Sequence, residues 1–262
     1  MGARPVQVSA RGPPPPSEAW NCMSMTHHRL VLWNIDHTLV DVGRVTREAY
    51  AEAFQRVTGR PLVRLAPTAG RTESEIIFET LAFNGVPATD DTLPAFFDAL
   101  AQAFAARRHL VREQGRALPG AKEGLDAVAR LPEAVQSVLT GAIQPNAIIK
   151  LTELGLDRHL DFEVGGYGSE IYPKGALVEL ARTRATRKYA VPFGESTTVI
   201  IADSPLDVRA AHIARATIIG VATGAATEAE LRSSGADVVL PTLAETTTLV
   251  RAIEHLTGRN TS

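Results

Sequence analysis

Short apolar runs alternating with longer stretches of helical spacing restrict most tightly what this 262-residue chain can fold into. The runs are LVLWNI (30–35), AVQSVLT (134–140), STTVIIAD (196–203), ATIIGVA (216–222) and ADVVL (236–240). They are apolar over consecutive residues rather than at every second one, as expected of strands covered on both faces. Between them, AKEGLDAVARL (121–131), NAIIKLTELG (146–155), GALVELARTRA (175–185) and DVRAAHIAR (207–215) repeat apolar residues at three- and four-residue spacing. Strand, helix, strand, repeated, predicts a doubly wound α/β core: a parallel sheet with helices on both faces. DFEV (161–164) reads as one more short strand.

Residues 43–116 break this rhythm. GRVTREAYAEAFQRVTG, TESEIIFETLAFNG and DDTLPAFFDALAQAFAARRHLVREQ have helical spacing and no strand. Gly59 and Gly85 are placed to end the first two helices, and Asp90 or Asp91 to cap the third. An all-helical insert after the first strand is expected to form a cap over a core made of residues 29–42 and 117–262. Gly43 and the stretch from Gly115 to Gly120 are its expected hinges, since glycine accepts large backbone changes.

Composition narrows the function classes. A formal charge of −2 supplies neither a basic field for nucleic acid nor a polybasic membrane anchor. No apolar run reaches the ~18 residues a membrane helix needs. A single cysteine, Cys22, excludes an internal disulfide and fits a reducing, cytoplasmic setting. Residues 1–28 contain the run Pro13–Pro16, which enters neither a helix nor a central strand, and read as a disordered leader. Within it Met23 and Met25 are alternative starts, and His27 and His28 form a solvated pair. G-x-G-x-x-G after the first strand, G-x-x-x-x-G-K-[ST] and G-x-S-x-G are all missing, so dinucleotide, P-loop and serine-hydrolase readings fail at their defining residues.

In open parallel sheets ligands bind beyond the carboxyl ends of the strands. The residues standing there are Asn34, Asp36, His37 and Thr38 after the first run, then Thr140 and Gly141 after the second. Lys174 stands ahead of helix 175–185, and Asp203, Ser204 and Asp207 follow the 196–203 run. Carboxylates are hard oxygen ligands that suit Mg²⁺, while a lysine and a hydroxyl suit phosphate oxygens.

These residues carry a resemblance to the haloacid dehalogenase superfamily, within it the phosphoglycolate-phosphatase-like group with a helical cap. LVLWNIDHTL resembles its first motif except at the first acidic position. SVLTG, YPKGALVELA and VIIADSPLDVRAA resemble the other three at Thr140, Lys174, and Asp203 with Asp207. The resemblance spans Leu30 to about Leu243 and implies a Mg²⁺-dependent hydrolase of small phosphorylated metabolites. It assigns Asp36 as general acid/base and carbonyl ligand of the metal, with Thr38 keeping it aimed. Thr140, Gly141 and Lys174 would bind the phosphoryl group. Asn34, Asp36, Asp203 and Asp207 would surround the metal, Asp207 also orienting Lys174. His37 stands where the family often has glycine and would close the loop. Nothing here fixes the oligomeric state.

Asn34 occupies the nucleophile position of that family, whose aspartate attacks phosphorus to form an aspartyl-phosphate. A neutral carboxamide cannot take that step. Four readings stay open: a ligand-binding or regulatory relative; attack by a metal-bound water with Asp36 as base; an engineered trap; or deamidation to aspartate, which the branched Ile35 hinders. In the helical insert Arg71 and Thr72 precede a helix, where they either reach an anionic substrate or face solvent. Arg107, Arg108 and His109 read as a solvated basic face.

Overall fold

The computed structural model describes residues 28–89 and 91–258. Most of the leader, with Cys22, Met23, Met25 and His27, lies outside them, as does Asp90. The chain enters at β1 (Arg29–Trp33), turns through β2 (Val40–Asp41) and runs into α1 (Gly43–Thr58), α2 (Glu73–Phe83), α3 (Thr92–Ala106) and α4 (Arg108–Gln114). It returns through β3 (Arg116–Ala117) to α5 (Ala121–Val128), β4 (Ala134–Thr140), α6 (Gln144–Glu153), β5 (Gly166–Tyr167) and α7 (Ala176–Tyr189). The last part is β6 (Thr198–Ala202), α8 (Pro205–Ile213), β7 (Thr217–Val221), α9 (Glu228–Ser233), β8 (Val238–Leu240) and α10 (Thr246–Thr257).

Six strands form one parallel sheet in the order β5-β4-β1-β6-β7-β8, so β1 is central and the α/β expectation holds. Alternation along each strand explains the unbroken apolar runs. Val31 and Trp33, Val199 and Ile201, Ile219 and Val221 pack on one face with α5, α6 and α10. Leu30 and Leu32, Ile200 and Ala202, and Ile218 pack on the other with α7, α8 and α9. Because successive side chains point to opposite faces, a strand covered on both sides is apolar at most positions, and the buried exceptions in β4, Gln136 and Ser137, are hydrogen-bonded. Trp33 is fully buried, and its indole N–H donates to Gln136 Oε1 at 3.0 Å.

DFEV is not a strand. Asp161 makes a local turn instead: its carboxylate accepts from the Glu163 N–H at 3.1 Å, and its carbonyl accepts from the Val164 N–H. The β4 edge is paired further on, by Gly166 and Tyr167. Aspartate favours such turns because its short side chain bonds the backbone two residues on. The third helical stretch is also divided. Arg107, at φ −102° and ψ 9°, ends α3 and begins α4. Gly59 closes α1 in the left-handed region at φ 69°; α2 ends at Asn84, with Gly85 left-handed just beyond. Asp91 precedes α3 without a side-chain capping bond.

Helices α1–α4 share the apolar cluster of one sheet face through Phe54, Ile77, Phe104 and Val111 in turn, with the Phe54 and Phe96 rings edge to face. The two chain crossings between sheet and helices pair as an antiparallel ribbon, β2 with β3, locked by Arg116 on Asp41 at 2.6 Å. In the basic run Arg108 and His109 are exposed, as expected of a solvated face, while Arg107 is half-buried and pairs with Glu52; Arg108 also reaches Glu153 on α6, as does Arg112. Gly120 is held, not free. It has φ 80°, and a Cβ there would lie 2.1 Å from the Ala244 nitrogen.

Candidate active site at the carboxyl edge of the sheet

The loop after β1 is a tight turn. The Leu39 and Val40 N–H groups both donate to the Ile35 carbonyl, and the His37 N–H donates to Val40 O at 2.8 Å. His37 adopts φ 62°, a left-handed conformation glycine takes at no steric cost. That accounts for the glycine usual at this position in the family it resembles. The Thr223 hydroxyl holds the His37 carbonyl at 2.7 Å.

This turn puts the Asn34 carboxamide at the centre of the site. Its Nδ2 donates to the Asp36 carbonyl and to Asp203 Oδ1, both at 2.9 Å, and to Thr38 Oγ1 at 3.2 Å. Its Oδ1 accepts from Lys174 Nζ at 2.9 Å. Thr38 also donates to Asp203 Oδ1 at 2.7 Å, so it braces Asp203 rather than the Asp36 side chain. Lys174 forms a buried ion pair with Asp207 at 2.7 Å, and Ser204 donates to the other Asp207 oxygen at 2.6 Å. Burial, with Asp207 nearby, pushes Asp203 up to about 6.

Asn34, Asp36, Thr140, Gly141, Lys174 and Asp203 line one cavity of about 260 Å³, a volume suited to a small metabolite. Thr38 and Asp207 are buried against its lining residues. Thr140 is fully buried, and its hydroxyl accepts from the Ala142 N–H at 3.1 Å. Gly141 has a docking role. Its carbonyl accepts from the Glu73 N–H at 2.8 Å, and a Cβ on it would sit 1.8 Å from the Arg71 carbonyl oxygen. Arg71 lines the cavity but is paired with Glu79, and Thr72 caps α2 reciprocally with Glu75.

A divalent cation there would need oxygens from residue 34, the Asp36 carbonyl and Asp203. In this structure an N–H group of Asn34 already donates to the latter two. With the Asn34 amide so oriented, these three positions do not present three oxygens to one ion.

Four residues of this site were not singled out from sequence. Lys150, on α6 and only 3% exposed, donates to both Asp36 oxygens at 2.7 and 2.8 Å. Asn146 lies one helical turn before it, on the same face. Glu73 opens α2, and the Tyr50 hydroxyl donates to its Oε1. Burial raises Glu73 to about 8, against the attraction of Lys150; Asp36 adds to the rise, and the Ile143 N–H opposes it. The signal available was weak: in a helix, polar residues at i and i+4 fit a solvated face equally well.

Glu73 gives a stability prediction. Unfolded, it releases its proton near 4.5; folded, near 8. Between those values the native state holds the extra proton, so stability falls as pH rises, by at most about 1.4 kcal/mol per unit. Asp203 acts in the same sense only up to about 6. Urea midpoints at pH 6.5 and 8 should therefore drop for the unchanged chain and flatten in Glu73→Gln. A slope equal in both proteins would assign the pH dependence elsewhere.

Residues 31–212 match the family model described as haloacid dehalogenase-like hydrolase. The chain belongs to that family. Solved structures agree on the fold. A hydrolase from Pseudomonas syringae superposes with a TM-score of 0.61 at 24% identity, covering 86% of this chain and 99% of its own. CbbY from Rhodobacter sphaeroides, in complex with phosphate, gives 0.62 at 21% identity over 83% and 96%. A predicted phosphatase from Clostridium acetobutylicum gives 0.63 at 15% over 86% and 99%. A search of curated proteins found no match. Among the described residues, no helix is long and apolar enough to cross a membrane.

Proposed function

We propose that the chain binds a small phosphorylated metabolite in this cavity and, with asparagine at position 34, does not hydrolyse it. The observation that carries this reading is the Asn34 carboxamide, fixed between Lys174 on one side and Asp36 O with Asp203 on the other. Thr140, Gly141 and Lys174 are the proposed phosphoryl holders; CbbY, of similar fold, was solved in complex with phosphate, which supports phosphate as the ligand class. Residues 43–116 act as the cap, which excludes water and selects the ligand. We place the protein in the cytoplasm, with no nucleic-acid or membrane partner. Direct attack by water with Asp36 as base is the weaker reading, because Lys150 engages both oxygens of that carboxylate.

The test is calorimetry with inorganic phosphate and a panel of phosphomonoesters, alongside phosphate release. Saturable binding without Mg²⁺ and release at the uncatalysed level are expected. No binding by any of these compounds, or steady turnover, would overturn the reading.

A further inference from the structure

Asn146 has a buried side chain whose Nδ2 and Oδ1 both lack a hydrogen-bond partner, and it lines the cavity. Native structures rarely leave one buried polar atom unpaired, so two on one amide, in a residue that lines an enterable cavity, mark a place where a ligand supplies the partners. Asn146 lies in the first turn of α6, close to the Ile143 N–H that reaches the Glu73 carboxyl. On the facing helix Glu73 carries the Tyr50 hydroxyl. The subsite is thus built by two helix beginnings, α6 after β4 and α2 from the helical insert, in the cavity that Lys174 and Asp203 also line.

We propose that Asn146 and Glu73 form a subsite for uncharged hydroxyl groups, so that the ligand is a phosphorylated polyol or sugar rather than a phosphorylated carboxylic acid. This rests on the phosphate-binding reading above and specifies its ligand. A hydroxyl both donates and accepts, as an amide offering one free acceptor and free N–H donors requires. A carboxylate only accepts, and would leave Asn146 Oδ1 unpaired. The neighbouring cation does not rescue it, since Lys150 is engaged by Asp36 through both oxygens. Near neutral pH Glu73 keeps its proton, so it too offers a donor and an acceptor.

Calorimetry of the full chain with inorganic phosphate, glucitol 6-phosphate and phosphoglycolate tests this, in the unchanged protein and in Asn146→Leu. The polyol phosphate should bind at least tenfold more tightly than the other two. Asn146→Leu should lose that tenfold, leave inorganic phosphate affinity unchanged, and raise the ligand-free melting temperature, because two unpaired polar atoms are gone. Should the leucine variant fail to fold, Asn146→Ser repeats the comparison. Equal or tighter binding of phosphoglycolate, or an Asn146 variant that binds the polyol phosphate as well as the parent, overturns the subsite while phosphate binding stands; the latter result means Asn146 is served by water. Failure of inorganic phosphate and both esters to bind removes the parent reading, and the subsite with it.

Discussion

Asn34→Asp should turn the chain into a Mg²⁺-dependent phosphomonoesterase, with phosphate release rising by roughly 10⁴-fold or more. The substitution places a carboxylate, a competent nucleophile, where the carboxamide now accepts from Lys174 at 2.9 Å. It also replaces the Nδ2 donor shared by Asp36 O and Asp203 Oδ1 with an oxygen. Three acceptors would then face one another without a hydrogen between them, which is unfavourable until a cation enters. The variant should therefore melt below the parent in chelator and recover as Mg²⁺ is added. The parent should show no Mg²⁺-dependent heat or shift. These readouts are independent of turnover. If the unchanged chain hydrolyses phosphomonoesters at a comparable rate, the covalent route is wrong for this protein. If the variant binds Mg²⁺ yet stays inert, the clamp of Lys150 on Asp36 is the next obstacle.

Lys174→Met should destabilise the fold by about 3–5 kcal/mol, the usual cost of leaving one partner of a buried ion pair uncompensated. Lys174 and Asp207 are 4% and 2% exposed and 2.7 Å apart, with the Ser204 hydroxyl as the other partner of Asp207. For a chain of this size that is a fall in melting temperature of roughly 10 °C. The double variant Lys174→Met with Asp207→Asn should regain more than half of the loss, since no charge is then stranded. Thermal denaturation of the three proteins decides it. A single-variant loss under about 1 kcal/mol would mean that Asp207 sheds its charge cheaply on losing the lysine. Inorganic phosphate binding should weaken in both variants, because Lys174 is the buried cation beside Asn34.

Much of the fold was legible in the residues because its causes are local. Strands covered on both faces are apolar at most positions, and β4, β6 and β7 lie inside the runs read from the sequence, with β1 starting one residue earlier, at Arg29. The chemical meaning of Asn34 was also available, since an amide is a poor nucleophile wherever it sits. DFEV misled because four residues do not separate a strand from a turn closed by the Asp161 side chain. The helical insert was recognisable, yet the β2–β3 ribbon was not, because each of its strands is two residues long and pairs across a gap of more than seventy.

The sequence by itself determined a parallel sheet, a helical insert after the first strand, and a set of polar residues at the strand ends with asparagine at position 34. Only the tertiary structure decided what that asparagine does, donating to the acceptors a cation would need, and that Lys150 occupies Asp36 from 114 residues away. It also decided that Glu73 is buried and that Asn146, which lines the cavity, is buried with both side-chain polar atoms unpaired. The physical reason is that helical periodicity fixes which residues share a face, whereas charge state and hydrogen bonding depend on what that face meets.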